Sequence, residues 1–371
     1  MKTILIKGFK SIKDTSVDLS SLNIIVGANG AGKSNFIEIF RMLSSFINKN
    51  FSTYVRERGG ADVFPYNGIK YTPNIDIAFH FDSLNKNVTN DYALQLTPTV
   101  DEQLLIEEKR RYGYGAWRTY GNASTESRLD DFKDEKSVAD GKNNGVGYFV
   151  YGAISNWQVY HFHDTTQNAP MRRSSLIDDF RKLRGDASNI AAFLYHLKHH
   201  SLMRQYYQQI VDAIKVVLPF FDDFTLDKVN MGEEEKIKLT WKQKGSDYPM
   251  QAYHLSDGSI RFICLATALL QPTPPSTIVI DEPELGLHPE AIRMLAALIE
   301  NAATRTQVIV ATQSPLFLDQ FSINDIIVAR RKDGASTFER LNEDDYKHWL
   351  EDYSIGELWT KNVIMGGVSH E

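Results

Sequence analysis

Residues 27–34 read Gly27-Ala28-Asn29-Gly30-Ala31-Gly32-Lys33-Ser34 and follow the apolar run NIIV. The glycines allow the backbone to bend so that successive N–H groups point toward a phosphate, and the helix that follows adds partial positive charge. We predict that this phosphate loop, continued by Asn35, cradles a nucleotide, that Lys33 reaches its β- and γ-phosphates, and that Ser34 offers its hydroxyl to Mg²⁺. A glycine-rich turn that binds nothing is the alternative.

A second motif is the apolar run Thr277-Ile278-Val279-Ile280, which ends in the carboxylates Asp281 and Glu282. In an open α/β sheet, ligands bind at the carboxyl edge of the strands, so both carboxylates are predicted to face the nucleotide. We expect Asp281 to hold Mg²⁺, directly or through water. Glu282 is then placed to orient or deprotonate an attacking water. A pair of helix-capping carboxylates is the alternative.

A third motif, Leu255-Ser256-Asp257-Gly258-Ser259, precedes the apolar helix IRFICLATALL. With the phosphate loop and the acidic strand, it resembles the ATP-binding-cassette ATPase heads of the SMC, RecF and overcoming-lysogenization-defect (OLD) type. The resemblance implies that residues 255–259, here called the signature turn, use Ser256 and Gly258 to contact the γ-phosphate held by Lys33 of another copy. ATP would then join two copies head to tail. A plain helix cap is the alternative.

The same resemblance predicts roles for two further segments of the sequence. Residues 284–289, Glu-Leu-Gly-Leu-His-Pro, resemble the loop that touches the partner head, which favours an interface role over a metal role for His288. The strand Val308-Ile309-Val310-Ala311-Thr312 ends where such heads carry a switch residue, commonly His, and here that residue is Gln313. An amide can orient water but cannot take up a proton at neutral pH, so the acid/base role is assigned to Glu282.

The predicted fold class is α/β: a P-loop NTPase of the ABC-ATPase head type with an antiparallel side sheet and a helical insertion subdomain. Residues 1–165 are predicted to form one ATPase lobe, with period-two strands between 74 and 120. Residues 166–235 are predicted to form the helical insertion, and residues 236–371 the lobe with the signature turn, acidic strand and switch strand. Residues 121–147, which are polar and glycine-rich, are predicted to form a mobile loop, and residues 148–163 to form two strands.

Composition limits the remaining choices. The 371 residues carry a net charge of −6, with 42% hydrophobic and 24% charged residues, which is typical of a folded soluble protein. One cysteine, Cys264, excludes an intrachain disulfide and fits a reducing compartment. The absence of a signal peptide or a long apolar run predicts a cytoplasmic protein without a membrane partner.

Two weaker patterns leave alternatives open. The segment 109–120 combines Lys109, Arg110, Arg111 and Arg118 with tyrosines and a tryptophan, so it could grip DNA or RNA, although a solvated strand face is favoured. His161 and His163 lie at period two before Asp164, which leaves a metal site geometrically open without an identifiable third ligand.

The predicted function is a Mg²⁺-dependent ATPase that dimerises around ATP and controls a separately encoded effector. The resemblance implies anti-phage defence or a toxin-like gene pair, in which the effector could be a Toprim-like nuclease. Only 56 residues follow Pro315, so we expect any nuclease in another chain. The alternative is a RecF- or SMC-like DNA-binding ATPase in repair or maintenance. A transporter subunit is disfavoured because 222 positions separate Ser34 of the phosphate loop from Ser256 of the signature turn, a much longer gap than in transporter heads. A kinase that transfers phosphate to a substrate is the least favoured alternative.

Overall fold

The computed structural model describes residues 1–82, 88–136, 145–231 and 234–364. The strands in these ranges are β1 (Thr3–Phe9), β2 (Ile12–Asp18), β3 (Leu22–Val26), β4 (Ile75–Asp82), β5 (Thr89–Pro98), β6 (Leu104–Tyr112), β7 (Arg118–Thr119), β8 (Trp157–Tyr160), β9 (Ser175–Leu176), β10 (Phe221–Phe224), β11 (Lys228–Met231), β12 (Glu234–Ile237), β13 (Thr240–Gln243), β14 (Met250–Gln251), β15 (Thr277–Asp281), β16 (Gln307–Thr312), β17 (Ile326–Lys332) and β18 (Ala335–Arg340). The helices are α1 (Lys33–Ile47), α2 (Phe51–Glu57), α3 (Val146–Ser155), α4 (Ile190–His199), α5 (Arg204–Val217), α6 (Asp257–Leu270), α7 (Pro289–Ala303), α8 (Pro315–Leu318), α9 (Glu343–Leu350) and α10 (Ile355–Thr360).

The chain divides into two compact units. The first contains residues 1–158 together with residues 322–371, and the second contains residues 159–321. The C-terminal strands belong with the phosphate loop because β17 pairs in parallel with β3, which leads into that loop. The three-part division at 165/166 and 235/236 stays a prediction.

An antiparallel sheet in the first unit has the strand order β2-β1-β4-β5-β6-β7. This arrangement confirms the predicted side sheet and adds the N-terminal hairpin to it. Side chains alternate between the two faces, as the period of a strand requires. The buried face carries large apolar residues, including Ile4, Ile6, Ile77, Phe79, Tyr92, Leu94 and Ile106.

The phosphate loop of the first unit is supported by β3, β17 and β18. All five residues of β3 are buried, and Val26 lies opposite Val328 of β17. The β17–β18 hairpin turns at Asp333 and Gly334, whose φ angles are 50° and 75°, as two-residue hairpin turns require. On α1, Phe40 packs against Trp157 with ring centroids 5.1 Å apart.

The prediction of two strands over residues 148–163 is wrong in its first half. Residues 146–155 form helix α3, and only β8 is a strand. Aromatic and β-branched residues favoured a strand, but Val150 and Ile154, four positions apart, give the segment a buried helical face. This face lies against α1 and β5, so tertiary packing decides the outcome.

The segment predicted as a mobile loop, 121–147, is only partly within the described residues, since 137–144 lie outside them. Its first part packs on the side sheet. Ser127 Oγ donates to Glu108 Oε1 at 2.7 Å, and the Leu129 side chain is fully buried. The prediction of a mobile loop therefore does not fit residues 121–136.

Two arginines of the candidate nucleic-acid segment are engaged by carboxylates of the same unit. Arg110 Nε and Nη2 donate to Glu135 Oε1 at 2.9 and 2.6 Å. Arg111 Nε and Nη2 donate to Asp91 Oδ2 at 2.8 and 2.6 Å, and the Asp91 side chain is fully buried. Because both guanidinium groups are committed to ion pairs, the segment loses most of its support as a grip on DNA or RNA.

The second unit contains the acidic strand and the switch strand. β15 and β16 pair in parallel, with Asp281 opposite Ala311, so both motifs end at the same edge. The segment 166–235 contains helices α4 and α5, but it also contributes strands to two small sheets, β10-β13-β14 and β11-β12-β9. Among the described residues, no helix has the length and apolar character needed to cross a bilayer.

We expect Trp157→Ala to destabilise the protein strongly, because the indole is 3% exposed and contacts Phe40, Phe79 and Phe81. The predicted loss in the free energy of unfolding is about 3–5 kcal/mol. Trp349, which is 46% exposed, is the matched control, and Trp349→Ala should cost about 0.5 kcal/mol or less. Urea unfolding of both variants, followed by circular dichroism, checks this, and similar losses would contradict the assigned core.

Candidate ATP site

Close backbone contacts fix the phosphate loop in the first unit. A Cβ atom added at Gly27 would lie 2.5 Å from the Ala329 carbonyl oxygen of β17. Gly32 has a φ of 108°, which side chains rarely tolerate, and a Cβ there would overlap Ser336 Oγ. Only glycine fits at these two positions.

The Lys33 ammonium lies inside the loop. Its Nζ donates to the carbonyl oxygens of Gly27, at 2.5 Å, and Ala28, at 3.2 Å, and the residue is 5% exposed. Buried charge needs such polar partners. The Ser34 side chain, predicted to meet Mg²⁺, is exposed at the first turn of α1.

Asn35 has a structural contact in addition to its predicted nucleotide role. Its Nδ2 donates to Ser11 Oγ at 2.7 Å, and Ser336 Oγ donates to the same oxygen at 2.7 Å. These hydroxyl contacts join the start of α1 to the β1–β2 and β17–β18 hairpins. The role of Asn35 toward a nucleotide stays a prediction.

Glu282 and Gln313 meet at the carboxyl edge of β15 and β16 in the second unit. Glu282 has a φ of 42°, a left-handed conformation that costs a non-glycine residue roughly 1–2 kcal/mol. Its N–H donates to the Ala311 carbonyl at 2.8 Å, and its Oε1 accepts a hydrogen bond from Gln313 Nε2. The predicted general base and the predicted switch residue are therefore in direct contact.

Asp281 is held through its backbone by a histidine from earlier in the chain. His163 Nε2 lies 2.8 Å from the Asp281 carbonyl oxygen, so this nitrogen carries the proton. The His161 and His163 rings contact each other in a tilted arrangement, with centroids 4.2 Å apart and an interplanar angle of 40°. In the described ranges, no group of three or more His, Cys, Asp or Glu side chains is arranged to hold a metal.

Glu284, a residue that the sequence did not single out by itself, is buried behind the Glu282–Gln313 pair. Its Oε1 accepts a hydrogen bond from the Thr312 hydroxyl, while its buried Oε2 has no partner. Burial raises the pKa of Glu284 above its ordinary value, and the nearby Glu282 charge adds to this shift. The Glu284 carboxyl therefore connects the loop at 284–289 to the end of the switch strand.

The signature turn lies at the exposed start of α6. Ser256 is the N-cap of α6, and its Oγ accepts a hydrogen bond from the Ser259 N–H at 3.1 Å. The residue therefore does cap its own helix, as the alternative interpretation predicted. The Ser256 and Asp257 side chains are nevertheless exposed. A Cβ at Gly258 would overlap the Gly286 carbonyl oxygen, which places the turn directly against the loop at 284–289.

A buried arginine that the sequence motifs did not indicate joins α6 to the loop at 284–289 and to Phe162. Arg261 of α6 is 7% exposed and donates from Nη1 to the Leu285 carbonyl and from Nε to the Phe162 carbonyl, the latter at 3.0 Å. A sequence signal for Arg261 was available, because it is the one charged residue in the apolar run IRFICLATALL.

His288 caps α7, where its Nδ1 accepts a hydrogen bond from the Glu290 N–H at 3.5 Å. The interface role of His288 stays a prediction.

The raised pKa of Glu284 predicts a pH-dependent stability difference between the wild type and Glu284→Gln. Above the ordinary value of 4.5, the unfolded chain ionises this carboxyl while the folded chain still holds the proton. The wild type should therefore lose stability relative to Glu284→Gln as the pH rises through the folded pKa. The loss is about 1.4 kcal/mol for each unit by which the pKa is raised.

Urea unfolding between about pH 5 and pH 8 measures this difference. The exposed Glu300 provides the control, because Glu300→Gln should follow the wild type across the same range. A Glu284→Gln curve parallel to that of the wild type would contradict the raised pKa of Glu284.

Several known proteins are similar to this chain in sequence or in fold. The chain is 21% identical over 370 residues to the OLD nuclease of Thermus scotoductus, with 93% of this chain and 65% of that protein covered. The chain thus spans under two thirds of that relative's length. Its fold is similar to the Smc head bound to the C-winged helix domain of ScpA, with a TM-score of 0.60, 17% identity and coverage of 94% and 99%.

A Pyrococcus furiosus Smc head, with an extended coiled coil and bound to the C-terminal domain of ScpA, gives a TM-score of 0.56 at 16% identity, with coverage of 95% and 98%. These similarities confirm the predicted P-loop fold of the ABC-ATPase head type. Residues 22–319, well over half of the chain, match the family described as "AAA domain, putative AbiEii toxin, Type IV TA system". The chain belongs to this AAA family.

Proposed function

We propose that the protein is a Mg²⁺-dependent ATPase that forms a head-to-tail dimer around ATP. The observation that carries this proposal is the exposed signature turn. Ser256 and Asp257 are exposed at the start of a 14-residue helix, whose first N–H groups favour an anion. A turn that only capped its own helix would not need to fit Gly258 so closely against the Gly286 carbonyl.

The residues of the phosphate loop fit a triphosphate. Lys33 Nζ is satisfied by loop carbonyls, from which it can turn to phosphate oxygens, and the Ser34 hydroxyl is exposed. We propose that Ser34 and Asp281 hold Mg²⁺, since hydroxyl and carboxylate oxygens are the ligands this ion prefers. When bound, the ion would neutralise charge on the β- and γ-phosphates.

Glu282 and Gln313 are proposed to act as one unit on the attacking water. The Gln313 amide holds the Glu282 carboxylate in one orientation, and the strained backbone of Glu282 fixes its place at the strand end. Because an amide cannot accept a proton, the proton of the water passes to Glu282. Binding of the shared γ-phosphate then favours the dimer, and hydrolysis removes that contact.

We further propose that the ATP cycle controls a separately encoded effector in the cytoplasm, with anti-phage defence or a toxin-like gene pair as the setting. This rests on the family description, which names a toxin and a toxin–antitoxin system, and on the relative named as a nuclease. A Toprim-like nuclease is one effector of this kind. We do not propose DNA or RNA binding through residues 109–120, because Arg110 and Arg111 are ion-paired.

We expect Glu282→Gln to bind ATP and Mg²⁺ but to hydrolyse ATP on the order of 10²-fold more slowly or worse, because the general base is lost. The trapped complex should have twice the 42.2 kDa mass of one chain in light scattering. Ser256→Arg in the same background is the matched variant, and it should bind ATP as a monomer. A Glu282→Gln protein that stays monomeric in saturating ATP would contradict the proposed dimer.

A further inference from the structure

We propose that Arg172 is a positioning residue that holds the signature turn in the shape needed to cover a nucleotide on another copy. The inference rests on the proposed function, because a signature turn has a task only where two copies meet.

The Arg172 guanidinium serves four acceptors of the second unit. Nη1 donates to the carbonyl oxygens of Ala252, at 2.5 Å, and Leu255, at 3.2 Å. Nη2 donates to Asp257 Oδ1 at 3.1 Å, and Nε donates to the Thr165 carbonyl at 3.0 Å. Three of these acceptors belong to residues 252–257, so one side chain fixes the entry to α6.

The most informative contact is the one to the Leu255 carbonyl, because this group belongs to the peptide that precedes Ser256. The orientation of that peptide sets where the Ser256 hydroxyl and the first N–H groups of α6 point. The Arg172 side chain is 5% exposed, whereas Asp257 is 69% exposed. The buried arginine therefore supports the turn from behind and leaves its outer side open to a partner.

Lysine or glutamine could not replace this arrangement. A guanidinium has five N–H donors in a rigid plane, whereas an ammonium has three donors at one point and an amide has two. The same segment of chain also reaches the acidic strand, since His163 Nε2 donates to the Asp281 carbonyl. Residues 163–172 thus connect the end of β15 with the signature turn inside one subunit.

The first test compares Arg172→Gln with Arg173→Gln in the full chain. Arg173 is the matched control, because it is exposed and donates to the Asn168 carbonyl instead. ATP turnover should fall on the order of 10²-fold in Arg172→Gln, as expected when a contact group is misplaced. Turnover of Arg173→Gln should stay within about 2-fold of wild type. Equal effects in the two variants would overturn the proposal.

A fluorescent ATP analogue separates a displaced turn from a folding defect. Both variants should bind it with wild-type affinity, because the phosphate loop is unchanged. If Arg172→Gln does not fold, Arg172→Lys is used instead, since it keeps the buried charge but cannot serve four acceptors. Full turnover in a folded Arg172 variant would overturn the proposal.

Recovery of ATP turnover in a mixture of two inactive variants separates a role of Arg172 in the signature turn from a role in the stability of the whole subunit. Lys33→Ala lacks the phosphate grip but keeps its turn, so it should cover ATP bound to an Arg172→Gln subunit. An equimolar mixture should recover about one quarter of wild-type turnover, because half of the dimers are mixed and each has one intact site. The benchmark is Lys33→Ala mixed with Ser256→Arg, which should recover the same fraction.

The two mixtures distinguish the possible failures. Recovery of the benchmark without recovery of the Arg172→Gln mixture would overturn the role of Arg172 and leave the head-to-tail dimer standing. Failure of both mixtures would overturn the dimer and, with it, the inference about Arg172.

Discussion

The close approach of two backbone segments at Gly27 sets the form of the first unit. A Cβ at this position would lie 2.5 Å from the Ala329 carbonyl, so the phosphate loop can bend only against β17. That strand comes from residues 326–332, far along the chain, and pairs in parallel with β3. The phosphate loop therefore contacts a strand from far along the chain, although its own sequence is a short continuous segment.

In the second unit, buried polar contacts connect motifs that are far apart in sequence. Arg261 joins α6 to the Leu285 carbonyl, Glu284 joins the same loop to Thr312, and Gln313 bonds Glu282. Buried polar groups of this kind need their partners. The loop at 284–289, which is proposed to contact a partner copy, is therefore connected to the proposed general base Glu282. The connection runs from Glu284 to Thr312 by a hydrogen bond, to the adjacent Gln313 along the chain, and to Glu282 by a second hydrogen bond.

Sequence patterns predicted features that depend on local chemistry: the glycine-rich loop before α1, the strands β15 and β16, and the side sheet. They failed where packing decided between structures. Helix α3 has the composition of a strand, and only its buried neighbours make it a helix. The hydrogen-bond acceptors of Arg172 and Arg261 could not be predicted either, because their carbonyl groups lie as much as 83 and 99 positions away in the sequence.

The central claim is that ATP gripped by one copy is covered by the signature turn of another. A cryo-electron microscopy or crystal structure of the Glu282→Gln protein with ATP and Mg²⁺ tests it most directly. The claim predicts that Ser256 Oγ of one subunit lies roughly 3 Å from a γ-phosphate oxygen held by Lys33 of its partner. ATP bound to Lys33 with the Ser256 turn of every subunit facing solvent would contradict it.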